Sequence, residues 1–142
     1  MSNISKMIRP NYYLSASSTF FIAPALFGLY KGYRVLPLVS VLTTAASINY
    51  WLDPTNENKR KIDFIVSKSC GLIYFMYGYN TVESIPMRIL GYTNLFMILS
   101  TYQASCIIYN SNNKNNNMWI PFHIMFHYLA SLGKFLVISM GS

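Results

Sequence analysis

The chain has 142 residues, which is enough for one domain. Hydrophobic residues make up 53% of it and charged residues only 11%, whereas about a quarter of the residues in a soluble domain are charged. This balance excludes an ordinary soluble domain and predicts a single all-α transmembrane domain over residues 1–142. The net charge of +7 does not indicate nucleic-acid binding, because the basic residues lie mostly between apolar segments and are not clustered with aromatic residues.

Five apolar segments predict a polytopic bundle of about five membrane-spanning helices, which cover roughly residues 14–30, 35–52, 62–79, 89–109 and 118–140. In the first helix, Pro24 predicts a kink. The second helix would be about 27 Å long, just enough to cross the hydrocarbon core of a bilayer. It is predicted to end before Pro54, because the residue preceding a proline is pushed out of the helical region.

The third predicted helix opens with a carboxylate, Asp63, which follows the most charged stretch of the chain, residues 53–61. The fourth helix is the most uniformly apolar of the five. An asparagine-rich tract at residues 110–117 follows it and predicts a flexible, solvent-exposed loop. The fifth helix carries both histidines of the chain, His123 and His127.

Five spans place the two termini on opposite sides of the membrane. The basic residues of the termini and loops divide unequally: Lys6, Arg9, Lys59, Arg60, Lys61 and Lys114 lie on the N-terminal side, and Lys31, Arg34 and Arg88 lie on the other. Because positive charge accumulates on the cytoplasmic side, this distribution predicts a cytoplasmic N-terminus and a C-terminus on the opposite side. A viral membrane and an endomembrane are both compatible with the sequence.

Polar side chains are predicted to converge near one end of this bundle. His123 and His127 lie four residues apart, so they share one face of their helix. With five spans, Ser47 near the end of the second helix and Asp63 at the start of the third lie at a similar depth. Polar groups within a membrane helix are costly, so they usually face the protein interior and serve a function there.

Two imidazoles at this spacing can bind one metal ion from a single helix, as they do in zinc hydrolases. Asp63 is the candidate third ligand, or the group that holds a metal-bound water, which zinc would turn into a source of hydroxide. Ser47 is a candidate to hydrogen-bond that water or a developing oxyanion, so Ser47 and Asp63 are the candidate catalytic residues. The alternative is that the histidines only hydrogen-bond across helices and that Asp63 caps its helix.

The order and spacing of these residues resemble a known family. The segment from Ser47 to Trp51 (SINYW), then Asp63, then His123-x-x-x-His127, resembles the CREST superfamily of alkaline ceramidases, adiponectin-receptor-like proteins and related lipid-remodelling hydrolases. The pattern of that superfamily is Ser-x-x-x-His at the end of one helix, Asp at the start of the next, and His-x-x-x-His in the final helix. The resemblance implies a zinc-dependent hydrolase of lipid amides or esters within the membrane.

Two departures from this pattern predict a degenerate or weakened metal site. Trp51 stands at the position of the first histidine, and an indole cannot bind zinc. The superfamily usually has seven spans, whereas this chain predicts five. A catalytic zinc ion typically takes three protein ligands, so Asp63 would have to bind the metal directly beside His123 and His127.

Two other functions stay open. A non-catalytic scaffold or structural protein of a viral or organellar membrane fits the small size, the short loops and Trp51. A transporter or channel subunit would use the polar face of the fifth helix, which Ser131 and Lys134 extend, as an ion path. Lys134 is expected either to reach the membrane surface or to pair with an acidic lipid headgroup. The expected partner is membrane lipid and not nucleic acid, and assembly into a homo- or hetero-oligomer is open.

Overall fold

The computed structural model describes residues 11–111 and 117–141, and within these residues all regular structure is helical. The helices are α1 (Tyr12–Ser18), a 3₁₀ turn (Thr19–Phe21), α2 (Ile22–Tyr30), α3 (Val35–Leu52), α4 (Glu57–Thr81), α5 (Ile85–Asn110) and α6 (Trp119–Met140). The predicted all-α fold is confirmed. Most of the asparagine-rich tract lies outside the described residues.

The first predicted helix is interrupted by the 3₁₀ turn, and Pro24 explains where. A proline has no backbone N–H, so the carbonyl of Phe20 four residues earlier loses its usual helical donor. Ser131 of α6 takes over, because its hydroxyl donates a hydrogen bond to the Phe20 carbonyl oxygen at 2.7 Å. The kink therefore also joins α6 to the first helical segment.

The third predicted helix begins earlier than expected. Asn56 caps α4, since its side-chain oxygen accepts hydrogen bonds from the backbone N–H groups of Asn58 and Lys59 at 3.0 and 3.2 Å. Asp63 therefore lies within α4 and does not cap it, which corrects that alternative. In the preceding loop, a hydrogen bond from Lys59 to Asp53 (3.1 Å) holds the pKa of the Asp53 carboxyl below its usual range.

Three segments of the described chain are long and apolar enough to cross a membrane: Tyr12–Tyr30, Val35–Leu52 and Trp119–Met140. The helices α4 and α5 are longer, at 25 and 26 residues, but contain more polar residues. The expectation that the fourth predicted helix is the most uniformly apolar was therefore wrong. The outer surface of the bundle supports a membrane setting, because large apolar side chains such as Ile65 and Phe96 are 62% and 72% exposed. Soluble proteins rarely leave so much apolar surface uncovered.

The interior of the bundle is rich in small polar residues, which allow close packing of helices in a membrane. Buried examples are Ser17, Ser18, Ser40, Thr43, Thr44, Ser47, Ser105 and Ser131. On α4, the Tyr74 hydroxyl donates to the Leu36 carbonyl of α3 at 3.0 Å and lies 2.9 Å from the Ser40 hydroxyl. Such bonds tie the helices together without a large apolar core.

The helix α5 packs antiparallel along α6. Asn94 donates from its side-chain nitrogen to the Leu129 carbonyl at 3.2 Å, and nearer the other end Ser105 donates to the Trp119 carbonyl at 3.3 Å. By contrast, α3 packs against α4, while the consecutive helices α4 and α5 hardly contact each other. Their separation leaves an opening along the side of the bundle.

Candidate functional site

A cleft of about 770 Å³ lies between α4 and α5 and has α6 as its floor. It extends from Arg60 to Tyr79 on α4, a distance of about 28 Å along that helix. Its walls are mostly apolar and aromatic, and its two ends carry Arg60 and Arg88. The cleft therefore has the length of a bilayer core, which is about 30 Å thick.

The four residues singled out in the sequence, Ser47, Asp63, His123 and His127, all line this cleft. They come from α3, α4 and α6, as the predicted convergence requires. The two imidazole ring centroids are 4.9 Å apart and the rings meet edge to face. The sequence therefore predicted that these four residues lie at one site. It did not determine what each side chain does there.

The hydrogen bonds of His127 assign the tautomer of its neutral imidazole. Its Nδ1 lies 2.7 Å from the Ser17 hydroxyl oxygen, and the same hydroxyl donates to the Leu14 carbonyl at 3.0 Å. A serine has one hydroxyl hydrogen, so the arrangement that satisfies both contacts has His127 Nδ1–H donating to Ser17. The other ring nitrogen, Nε2, is then left as a hydrogen-bond acceptor.

His123 has a similar partner on α5. Its Nδ1 lies 3.3 Å from the Ser105 hydroxyl oxygen, which in turn donates to the Trp119 carbonyl. The same count of hydroxyl hydrogens makes Nδ1 the donor and Nε2 the acceptor. Both histidines are therefore oriented by serines, which agrees with the prediction that they hydrogen-bond across helices.

Ser47 and Asp63 have partners other than the histidines. The Ser47 oxygen accepts a hydrogen bond from Ser18 at 2.9 Å, which ties α3 to the first helical segment. Asp63 accepts from the Ser67 hydroxyl at 3.3 Å, one turn along its own helix. Neither of these hydrogen bonds joins Ser47 or Asp63 to an imidazole.

A three-ligand metal site is not formed by the residues that the structure describes. No three side chains of histidine, cysteine, aspartate or glutamate come together there in a way that could hold a metal ion. Trp51, at the predicted first-histidine position, lies edge to face against His123 with ring centroids 5.2 Å apart. Two imidazoles do not fit a catalytic zinc ion, which takes three protein ligands. Zinc binding by Asp63, His123 and His127 stays a prediction.

The pair formed by Ser17 and His127 has the spacing of a nucleophile and its base, but its setting differs. Ser17 is buried and is not among the side chains that line the cleft. Its hydrogen is engaged by the Leu14 carbonyl. A substrate in the cleft would not reach the Ser17 oxygen, so this pair orients an imidazole and does not provide a nucleophile.

Two residues named in the sequence analysis, Trp51 and Lys134, contribute buried donors to the cleft that sequence reasoning did not predict. Trp51 Nε1 and Lys134 Nζ both line it and have no hydrogen-bond partner within residues 11–111 and 117–141. The Lys134 ammonium lies 4.2 Å from the ring centroid of Phe21 and 5.4 Å from that of Tyr74. Lys134 therefore does not reach the membrane surface. Its position on the histidine-bearing face was visible in the sequence, but the enclosing rings were not.

Sequence reasoning also missed Ser17, because its contact with α6 depends on the arrangement of the helices. The serines at positions 15, 17 and 18 are nevertheless a visible signal in an otherwise apolar segment.

No protein-family model, no curated protein and no solved structure matches the chain. Its site is therefore interpreted from its own geometry.

Proposed function

We propose that this chain is an integral membrane protein that binds a membrane lipid in the cleft between α4 and α5. The observation that carries the proposal is a long, mostly apolar cleft that opens through an apolar outer surface and has unpartnered polar donors inside. A lipid has the same division between an apolar chain and a polar group. Small-molecule sites commonly combine apolar walls with a few polar groups that fix orientation.

The bundle crosses the membrane five times in this proposal, with the N-terminus on the cytoplasmic side. Support comes from α5, which runs beside α6 from Asn94, bonded to Leu129, to Tyr109, whose ring packs against Trp119. That stretch of α5 is about 22 Å long. Because α6 is apolar enough to span, α5 lies at the same depth, and the cleft between α4 and α5 faces lipid.

The two unpartnered donors would stabilise a bound lipid that carries a hydrogen-bond acceptor. The Trp51 ring lies beside His123, and residue Lys134 is about 16 Å further along α6 than His123. A buried donor without an acceptor costs about 1–3 kcal/mol, and a bound acceptor removes that cost. Apolar side chains of α5 line the space between them and would contact an acyl chain, among them Leu95, Ile98 and Leu99.

Filling the cleft tests the proposal. Gly71 lines it, and a Cβ added there would meet no described atom within 4 Å, so Gly71→Phe places a ring in open space without disturbing the fold. We expect the lipid that co-purifies with the protein, measured by mass spectrometry after mild detergent extraction, to fall several-fold. Leu72→Phe is the matched control, because Leu72 is 61% exposed and does not line the cleft.

Equal lipid content in the two variants would contradict the proposal. The proposal would also be contradicted if the unmodified protein were a dimer and Gly71→Phe made it a monomer without loss of lipid. A second copy of the chain would then be the occupant of the cleft. Gly91→Phe, from the opposite wall, gives an independent repeat, since a Cβ at Gly91 also meets no described atom within 4 Å.

A zinc-dependent lipid hydrolase of the CREST type is the second candidate. It is favoured by one observation, that Ser47, Asp63, His123 and His127 line the same cleft in which a lipid amide or ester would lie. The same purified samples distinguish it, because an active enzyme would contain zinc that is lost in His127→Ala. Zinc at background level in the unmodified protein would leave lipid binding alone.

A further inference from the structure

We propose that Lys134 is an anion site within the cleft and that the lipid it selects is a single-chain fatty acid, bound through its carboxylate. This inference rests on the proposed lipid-binding function and names the class of ligand. The amine is 6% exposed, lines the cleft and has no hydrogen-bond partner among the described residues. The amine lies near the ring faces of Phe21 and Tyr74 and near the thiol of Cys70 on α4, and a neutral thiol does not balance its charge.

Charge complementarity identifies the missing partner. The single salt bridge between described residues joins Lys59 and Asp53, outside the cleft. Asp63 also lines the cleft, but it bonds to Ser67 and forms no ion pair with Lys134. Aromatic faces stabilise an ammonium only in part. A buried charge is normally paired, and an anionic ligand is the partner that an otherwise apolar cleft can admit.

Depth distinguishes a carboxylate from a bulkier headgroup. Lys134 lies about 9 Å inside the C-terminal end of α6, which ends at Met140. A phospholipid headgroup with two chains would have to leave the interface to reach it. A carboxylate is compact, carries one charge and brings one acyl chain, which the remaining length of the cleft accommodates. Lys68, by contrast, is exposed, with its amine over the Phe64 ring, so it does not require a partner.

The test compares a fatty acid with its own methyl ester, which has the same chain and no charge. Binding of both is measured to the full chain in nanodiscs of phosphatidylcholine, by competition with a fluorescent fatty acid. We expect the acid to bind about tenfold more tightly than the ester. Lys134→Met removes that difference and leaves the ester unchanged, while Lys68→Met preserves the difference. Lys134→Met is expected to fold, because it replaces an unpaired buried charge with an apolar side chain of similar length.

Each result has a distinct meaning. If the acid and the ester bind equally to the unmodified protein, the carboxylate site is wrong although lipid binding stands. If neither binds, and Gly71→Phe changes nothing, the proposed function itself fails. If a lysophosphatidic acid binds more tightly than the fatty acid and also depends on Lys134, the anion is a phosphate and the carboxylate assignment is overturned.

Discussion

Ser17 determines which nitrogen of His127 donates a hydrogen bond inside the bundle. Its hydroxyl donates to the Leu14 carbonyl and accepts from His127 Nδ1, so in the neutral imidazole Nε2 is the acceptor. A histidine fixed in this way presents one lone pair in a known direction. A serine from α1 therefore sets the hydrogen-bonding character of a side chain that α6 contributes.

Substitution of Ser17 tests this arrangement at the level of single residues. We expect Ser17→Ala to lower the free energy of unfolding by about 1–3 kcal/mol, because buried His127 Nδ1 loses its partner. Ser15→Ala is the control, since the Ser15 hydroxyl is buried but unpaired in the described part of the chain. Its removal is expected to be neutral or stabilising. Denaturant unfolding in micelles measures both, and equal losses would refute the assignment.

The shared face of His123 and His127 was predictable, because four-residue spacing is a local property of a helix. The serine that orients His127 was not, since Ser17 and His127 are 110 positions apart in the chain. Likewise, the sequence places Trp51 in the segment that resembles the CREST pattern, but it does not predict that Trp51 packs against the His123 ring. Long-range contacts depend on how the helices are arranged, which local patterns do not specify.

At the level of the helices, apolar stretches gave reliable positions and less reliable ends. The helix α3 occupies Val35–Leu52, as predicted. The helix α4 starts at Glu57, five residues before the predicted start, because Asn56 caps it and charged residues form its first turns. Hydrophobicity marks the part of a helix that meets lipid, whereas hydrogen bonding at the cap decides where the helix begins.

Glycine at one position allows α5 and α6 to approach closely. A Cβ added at Gly133 would lie 2.6 Å from the side-chain nitrogen of Asn94, which donates to the Leu129 carbonyl. We therefore expect Gly133→Ala to destabilise the protein by about 1–3 kcal/mol through overpacking. Gly91→Ala, where nothing described lies within 4 Å, is expected to be neutral or stabilising by up to about 1 kcal/mol, since alanine favours helix. Thermal unfolding in detergent compares them, and a reversed order would contradict this packing.

At the level of the whole molecule, five spans and three spans differ in where the short loop between α4 and α5 lies. With five, Glu83 in that loop is on the side opposite to Thr55, which follows α3. With three, the two positions share a side. We expect opposite sides, because α5 runs alongside α6 at the same depth.

Cysteine labelling measures this topology. In a background with Cys70→Ala and Cys106→Ala, which removes both native thiols, Glu83→Cys and Thr55→Cys are treated with a membrane-impermeant maleimide on sealed vesicles. In sealed vesicles of one orientation, we expect one of the two variants to be labelled directly. The other variant should be labelled only after the vesicles are permeabilised. Labelling of both from the same face would reduce the number of crossings to three.

The weak contact between α4 and α5 has a consequence for how the proposed lipid would enter the cleft. A cleft that is open to the side of the bundle would exchange its contents with the surrounding leaflet by two-dimensional diffusion, without a passage through water. Occupancy would then follow the mole fraction of the ligand among neighbouring lipids and not its aqueous concentration. The fraction of protein with an occupied cleft would therefore depend on the lipid composition of the surrounding membrane.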